Sequence, residues 1–254
     1  MMMKTSSKRA AIVTGASYGI GHATAIALAK DGFDVAITDL SLEPLKRTIA
    51  AIEDIGMRAM PIILDLRDQK SIAQAIDQAF QCFPQIDLLV NNAGIPSLHK
   101  LAVDINLEEW QNIIGINLSG TFFMTTQFGK KLMALQHPGS VVSLSSTHGV
   151  VGFEGSSAYG ITKAGIGQMT KTLAMEWAPH QIRVNAVAPG ATYTESRAPG
   201  FDNPARREVM LGRIPLKRFG EPEEIAGFIS YLASPKASYI TGQIHLIDGG
   251  LTAY

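Results

Sequence analysis

A chain of 254 residues, 46% of them hydrophobic and 17% charged, has the apolar content for one large α/β domain or two small ones. Its 22 basic and 22 acidic side chains balance, which leaves no electrostatic case for a nucleic-acid or other polyanionic partner. Cys82 is the only cysteine and the six histidines show no metal-ligand spacing, so neither an intrachain disulfide nor a metal site is expected.

The start, MMMKTSSKR, is basic, but the apolar run behind it is cut short at Thr14-Gly15-Ala16-Ser17, too early for a signal-peptide core. No later stretch is long enough to span a bilayer, so a cytoplasmic protein without a membrane partner is expected. Residues 10–14 read as a short buried strand, and 15–21 as a glycine turn. Ala23, Ile26, Ala27 and Ala29 then set a helix running to about Lys30. Strand, glycine turn and helix make a phosphate-binding N-terminus: the glycines let backbone N–H groups approach a diphosphate at the positive end of the helix dipole. The spacing is G-x-x-x-G-x-G rather than the common G-x-G-x-x-G. A second strand, 34–38, delivers Asp39 at its end, 18 residues beyond Gly21. A carboxylate there accepts hydrogen bonds from an adenosine ribose and repels a 2′-phosphate. None of Ser17, Tyr18 and Leu40 is basic, so NAD is favoured over NADP; the alternative for Asp39 is a solvated turn carboxylate.

The alternation continues with a helix over 42–55 with Gly56 as its C-cap, a strand over 58–64 ending at Asp65-Leu66, an amphipathic helix over 69–83 stopped by Pro84, and a strand over 86–90 running into Asn91-Asn92-Ala93-Gly94. Cys82 follows the apolar positions Ile76, Ala79 and Phe80, which favours a buried helix position over a nucleophile. Strands alternating with helices of this length predict a single-domain Rossmann-like fold, a doubly wound parallel sheet with helices on both faces, with ligands at the carboxyl ends of the strands. Asn106-Leu107-Glu108-Glu109 has the form of a capping box and opens a long helix to about Leu135. Asn117 lies inside it between Gly115 and Gly120, as a structural hydrogen-bonder or as part of a polar relay.

Residues 141–163, VVSLSSTHGVVGFEGSSAYGITK, are where the chemistry is expected, the alternative for their Tyr-x-x-x-Lys pair being an ordinary solvated helix face. A strand ends in serines, a glycine-rich loop follows, and a helix begins with Tyr159 and Lys163 four residues apart, on one face. A phenol loses its proton near pH ~10, and a neighbouring ammonium favours the phenolate, so the pair can serve as an acid or base nearer neutrality. Gly160, Ala164 and Gly167 make a small-residue face suited to close helix–helix approach, including one between subunits. A strand over 182–188 ends at Pro189-Gly190. Residues 191–212, with Pro199, Gly200 and Pro204, read as an irregular flap over a substrate site. Pro222-Glu223-Glu224 opens a last helix, and a strand over 243–247 precedes Asp248-Gly249-Gly250.

From about Lys8 onward these residues resemble the short-chain dehydrogenase/reductase family. Its T-G-x-x-x-G-x-G turn is residues 14–21, its N-N-A-G segment 91–94, its Y-x-x-x-K pair Tyr159 and Lys163, its P-G-x-x-x-T segment 189–194 and its Asp-Gly-Gly 248–250. The family serine, 13 positions before the tyrosine, falls on Ser146 with Ser145 as the adjacent decoy, and the helix asparagine on Asn117. The resemblance implies that Tyr159 is the acid/base, that Lys163 holds the nicotinamide ribose and lowers the tyrosine pKa, that Ser146 holds the substrate oxygen and that Asn117 supports a water relay. It implies a cofactor set of Gly15, Ser17, Tyr18, Gly19, Ile20, Gly21, Asp39 and Leu40 at the adenosine and diphosphate, with Asp65 and Leu66 at the adenine. Asn92, Ala93, Gly94, Pro189, Gly190, Thr192 and Thr194 then line the ribose and nicotinamide. Thr192 departs from the family's usual isoleucine or valine. A homotetramer, or a homodimer, is the family expectation.

For the substrate, Ser146, His148, Glu154 and Tyr193 are candidates, with Glu195 and Arg197 in the flap; each has solvent exposure or packing as its alternative. The expected function is NAD-dependent hydride transfer with a secondary alcohol or ketone, a sugar, polyol or other hydroxylated small molecule. The alternatives are a 3-oxoacyl-thioester reductase on ACP or CoA and, more remotely, a non-catalytic cofactor-binding regulator.

Overall fold

A computed structural model describes residues 9–253; the basic residues 1–8 and Tyr254 lie outside the described residues. Seven parallel strands form one sheet: β1 (Ala10–Thr14), β2 (Asp34–Asp39), β3 (Ala59–Ile63), β4 (Ile86–Asn91), β5 (Gly139–Leu144), β6 (Ile182–Pro189) and β7 (Ile244–Ile247), in the order β3-β2-β1-β4-β5-β6-β7. The chain leaves β1 in one direction and resumes on its other side at β4, so the switch point falls between these two strands and opens a crevice at their carboxyl ends. The helices are α1 (Gly19–Lys30), α2 (Lys46–Asp54), α3 (Gln69–Cys82), α4 (Leu107–Ile114), α5 (Thr121–Ala134), α6 (Ser157–Trp177), α7 (Ala198–Phe201), α8 (Pro204–Gly212) and α9 (Pro222–Ala233).

The central strands are apolar at nearly every position because both faces of the sheet are covered. Along β1 the side chains alternate: Ala10 and Ile12 join a core with Ile76 of α3, Phe128 of α5 and Leu173 of α6. Ala11 and Val13 join the opposite core with Leu28 of α1, Ile52 of α2 and Ile229 of α9. Ile12, Leu28, Ile52 and Phe128 are fully buried. At about 25 cal/mol per Å² of apolar surface, burying such a side chain stabilises the fold by roughly 1.5–3 kcal/mol, so these two layers hold the strand ends that carry the site.

Four features differ from the sequence expectation. The long helix of 107–135 is broken by a π-helical segment, Gly115–Gly120, between α4 and α5. Glycine at 120 permits it, since a Cβ there would lie 2.5 Å from the carbonyl oxygen of Leu66; π segments frequently occur at functional sites. The predicted capping box is formed, with Asn106 accepting from the Glu109 N–H and Glu109 from the Asn106 N–H. The segment 191–212 is irregular only in part: 191–197 lies outside any helix or strand, and two short helices follow. Pro199 and Pro204 sit in the first turns of α7 and α8, where their missing N–H groups have no helical partner to lose, and Asn203 caps α8 by accepting from Arg206 N–H. The small-residue face of α6 serves packing within the chain: a Cβ at Gly160 would lie 2.8 Å from the His148 carbonyl oxygen and one at Gly167 2.7 Å from Ile244, leaving only Ala164 exposed. Residues 43–45 form a 3₁₀ turn before α2 rather than its first turn. Gly56 has φ +86°, as a left-handed C-cap requires, and Cys82 is half-buried at the end of α3. Among the described residues no helix is long and apolar enough to cross a membrane.

Candidate active site

Strands β1 to β6 each end at one cavity of about 580 Å³ on the carboxyl edge of the sheet, within the range of small-molecule and cofactor sites. Gly15, Tyr18, Gly19, Ile20, Asp39, Leu40, Asp65, Leu66, Asn92, Ala93, Gly94, Pro189, Gly190, Thr192 and Thr194 all line it. Ser17 and Gly21 stand behind its wall. The Ser17 hydroxyl donates to the Asp39 carboxylate, and a Cβ at Gly21 would lie 2.1 Å from the Gly15 carbonyl oxygen, so only glycine lets the turn fold back on itself. Thr14, which the sequence places in the turn without a role, stitches β1 to β4: its hydroxyl accepts the N–H groups of Asn92 and Ala93, both at 3.0 Å. Asn92 returns two bonds at 2.9 Å to the carbonyls of Thr14 and Gly15. The N-terminus of α1 has no side-chain cap and no acidic residue in its first turn. Its N–H groups and dipole therefore face the cavity undiminished, which fits a dinucleotide diphosphate.

At the β2 end, Asp39 accepts the Leu40 N–H at 2.8 Å as well as the Ser17 hydroxyl. At the β3 end, Arg67 holds Asp65 in a side-chain pair of 2.8 Å, and this hydrogen bond keeps the carboxyl below its usual range. Arg67 also lines the cavity, and the Asp-x-Arg spacing is the sequence signal that points to it. The Asp-Gly-Gly near the C-terminus braces the β6 end: a Cβ at Gly190 would lie 2.8 Å from Asp248 Cα, and the Asp248 carboxylate accepts the N–H groups of Gly250 and Thr252.

The reacting end gathers Ser146, Tyr159 and Lys163 on the cavity wall, from the end of β5 and the first turns of α6. Lys163 is buried; its Nζ donates to the Leu144 carbonyl at 2.7 Å and lies 5.6 Å from the centroid of the Tyr159 ring. Burial pushes the lysine pKa down, opposed by Tyr159. Lys163 thus places an ammonium with little solvent screening beside the Tyr159 ring. The two serines are separated by their partners. Ser145 donates its hydroxyl to the Lys163 carbonyl at 2.8 Å, which fixes α6 against β5. Ser146 accepts the His148 N–H at 3.2 Å and faces the cavity. Asn117 accepts the Ile95 N–H at 2.8 Å and donates to the Ile95 carbonyl at 2.9 Å, pinning the loop after β4. A Cβ on Gly94 would lie 3.0 Å from Asn117 Oδ1 and 3.9 Å from Lys163 Nζ, so only the space of a methyl group separates asparagine and lysine.

His148, Glu154 and Tyr193 are not among the lining residues. His148 stacks on Phe153 with ring centroids 4.0 Å apart and meets the edge of Tyr159 at 5.5 Å. Glu154 is exposed, and the Tyr193 hydroxyl donates to Asp202 at 3.1 Å. Burial first, then the fields of Arg197, His99 and Arg213, push the His148 pKa down to about 4. The unfolded chain therefore takes up a proton near pH 6.5 that the folded chain refuses until about 4, and the stability contributed by neutral His148 is present above 6.5 and lost as pH falls through that window. After solvent screening of the part-exposed ring, a loss of about 1–2 kcal/mol is expected in urea unfolding between pH 7 and 4. His148→Gln should remove that share; an identical pH dependence in the variant would mean that His148 does not titrate there.

The flap crosses the mouth. Glu195 forms a two-pronged ion pair with Arg47 at 2.7 and 3.1 Å, and Arg47 Nε donates to the Ser17 carbonyl at 2.9 Å. Tyr193 N–H to Gly220 and Gly220 N–H to Ala191 anchor the base of the flap. Arg197 and Ser196 line the cavity, as do Ile95 and Pro96, which no sequence signal marked.

A glycine-rich turn at the switch point, together with a Ser-Tyr-Lys group one strand away, defines a dinucleotide-dependent oxidoreductase site. The family model described as Enoyl-(Acyl carrier protein) reductase matches residues 15–252. The chain is 42% identical over 240 residues to 3-oxoacyl-[acyl-carrier-protein] reductase FabG of Thermotoga maritima, covering 94% of this chain and 96% of that one. It is 36% identical over 250 residues to L-rhamnose 1-dehydrogenase (NAD(P)(+)) of Sphingomonas sp., covering 98% of each. The solved structure of NAD+-bound xylitol dehydrogenase superposes with a TM-score of 0.91 at 29% identity, covering 97% of this chain and all of that one. The chain belongs to the short-chain dehydrogenase/reductase family. It is an NAD(P)-dependent oxidoreductase of CH–OH groups.

Proposed function

We propose that this chain is an NAD-preferring dehydrogenase that oxidises a secondary carbinol of a sugar, polyol or other hydroxylated small molecule. The observation that carries the cofactor preference is Asp39. Its carboxylate is fixed on the cavity wall by the Ser17 hydroxyl and the Leu40 N–H, where it favours ribose hydroxyls and repels a 2′-phosphate. Arg47, the basic side chain bonded to Ser17, is committed to Glu195 and offers that phosphate no free guanidinium. A nicotinamide held at this end of the cavity would supply or accept the hydride. Ser146 orients the substrate oxygen, Tyr159 takes the hydroxyl proton in oxidation and returns it in reduction, and Lys163 stabilises the charge on Tyr159. Relatives whose names specify L-rhamnose and xylitol support a hydroxylated substrate.

A second reading, reduction of a 3-oxoacyl thioester, rests on the 42% identity to the Thermotoga reductase. Initial rates of NADH or NADPH formation across sugars, polyols, secondary alcohols and 3-hydroxyacyl thioesters separate the two. Turnover of a hydroxylated small molecule with NAD is expected. Turnover confined to thioesters, or to NADP, would replace the first reading with the second. Asp39→Ala should shift the NAD/NADP ratio of kcat/KM toward NADP by about tenfold or more, the worth of one charge-assisted contact. An unchanged ratio would show that the carboxylate does not read the ribose.

A further inference from the structure

The charges on the cavity wall are sorted. Its carboxylates, Asp39 and Asp65, sit at the ends of β2 and β3, on the adenosine side, and each is engaged there by neighbouring donors. The reacting side, fed by β4, β5, β6 and α6, contributes two cations, Lys163 and Arg197, and no carboxylate. Lys163 is buried and donates to the Leu144 carbonyl. Arg197 is exposed at the flap edge of the cavity, and its guanidinium is in no ion pair or side-chain hydrogen bond among the described residues.

The acids that could have neutralised Arg197 are placed elsewhere. Glu195, two residues away, is held by both terminal guanidinium nitrogens of Arg47, and Asp202 is held by the Tyr193 hydroxyl. Glu154 is exposed on the turn beside Phe153 and outside the lining. Further positive charge backs this end of the site: Arg213 lies 5.2 Å from the Phe153 ring on which His148 stacks, and the Arg197 and Arg213 fields both reach His148. A guanidinium presents paired N–H donors in a plane that matches a carboxylate.

We propose that the substrate carries a carboxylate a few atoms from the carbinol that reacts, and that Arg197 binds this carboxylate while Ser146 and Tyr159 hold the carbinol oxygen. The proposal rests on the dehydrogenase reading above and narrows it from hydroxylated small molecules to hydroxy acids. Arg197 then selects by charge. The rival role for an arginine on this rim is neutralisation of the cofactor's diphosphate, which predicts a different kinetic signature.

The test compares matched substrates: 3-hydroxybutanoate and 4-hydroxypentanoate, each against its methyl ester, and gluconate against sorbitol, with NAD. At least one acid should exceed its neutral partner in kcat/KM by roughly ten- to hundredfold, the worth of a charge-assisted pair. Arg197→Gln should erase that difference by raising the KM of the acid, leaving the neutral partner and the NADH dissociation constant unchanged. Neutral partners turned over as well as the acids, or a loss of NADH affinity in Arg197→Gln with substrate selectivity intact, would overturn the proposal. Titration of glutarate into the wild-type and Arg197→Gln complexes with NADH gives a readout independent of turnover. If no substrate reacts but glutarate binds the wild type and not the variant, the anion site stands and the dehydrogenase reading fails. If glutarate binds neither, or both alike, the anion site fails.

Discussion

Tyr159→Phe is expected to lower kcat by about a thousandfold, within the span of general acid–base catalysis, while the NADH dissociation constant rises less than about tenfold. The asymmetry follows from what the substitution removes. The ring is 8% exposed and sits in a small apolar cluster with Ile113 and Ala158, so phenylalanine keeps its packing and its edge contact with His148. Only the hydroxyl goes, and the cavity offers no other group one turn from a buried ammonium that could pass a proton to the substrate oxygen. Stopped-flow single turnovers and NADH fluorescence titration separate the two quantities. Near-native turnover would remove Tyr159 from the proton path, and lost NADH binding would make its role structural.

Lys163→Met sets two larger effects against each other. A buried ammonium whose one hydrogen bond goes to the Leu144 carbonyl, with no carboxylate beside it, carries a desolvation cost of several kcal/mol. Methionine fills a similar volume with no charge, and leaving the Leu144 oxygen unpaired costs about 1–3 kcal/mol. The relief of the charge wins, so the melting temperature should not fall. Activity should fall by about a thousandfold or more, because the field that stabilises charge on Tyr159 is gone. The lowered lysine pKa points the same way, since burial disfavours its charged form. Differential scanning calorimetry beside steady-state kinetics reads both. A variant that melts several degrees lower would make Lys163 a structural keystone, and one that turns over normally would take it out of the site.

The Arg47–Glu195 pair places the flap in the same scheme. It is exposed, so its own contribution to stability is below about 1 kcal/mol, yet it joins α2, the cofactor turn and the flap through three hydrogen bonds. The link is weakened by salt and joins the segment that carries Arg197 to the cofactor turn.

What the sequence determined by itself is whatever depends on local backbone geometry. The glycine turn at 15–21, the end of β2 at Asp39, the Tyr159–Lys163 spacing and the Asn106 capping box all follow from spacings within a few residues, and strand–helix alternation then implied the parallel sheet. Ser17 and Gly21 were legible as part of that turn, although they shape its wall and do not line it. The tertiary structure alone decided what depends on which distant segments meet. Ser146 is singled out in the sequence only by the family spacing to Tyr159; the physical difference from Ser145 is tertiary, since the Lys163 carbonyl, 18 residues on, takes the Ser145 hydroxyl and leaves Ser146 to the cavity. Asn117 in a π turn, the glycines of α6 spent inside the chain, the helices of the flap and the unpaired guanidinium of Arg197 are of the same kind. Each depends on a contact energy between elements remote in sequence, and neither propensity nor periodicity contains that energy.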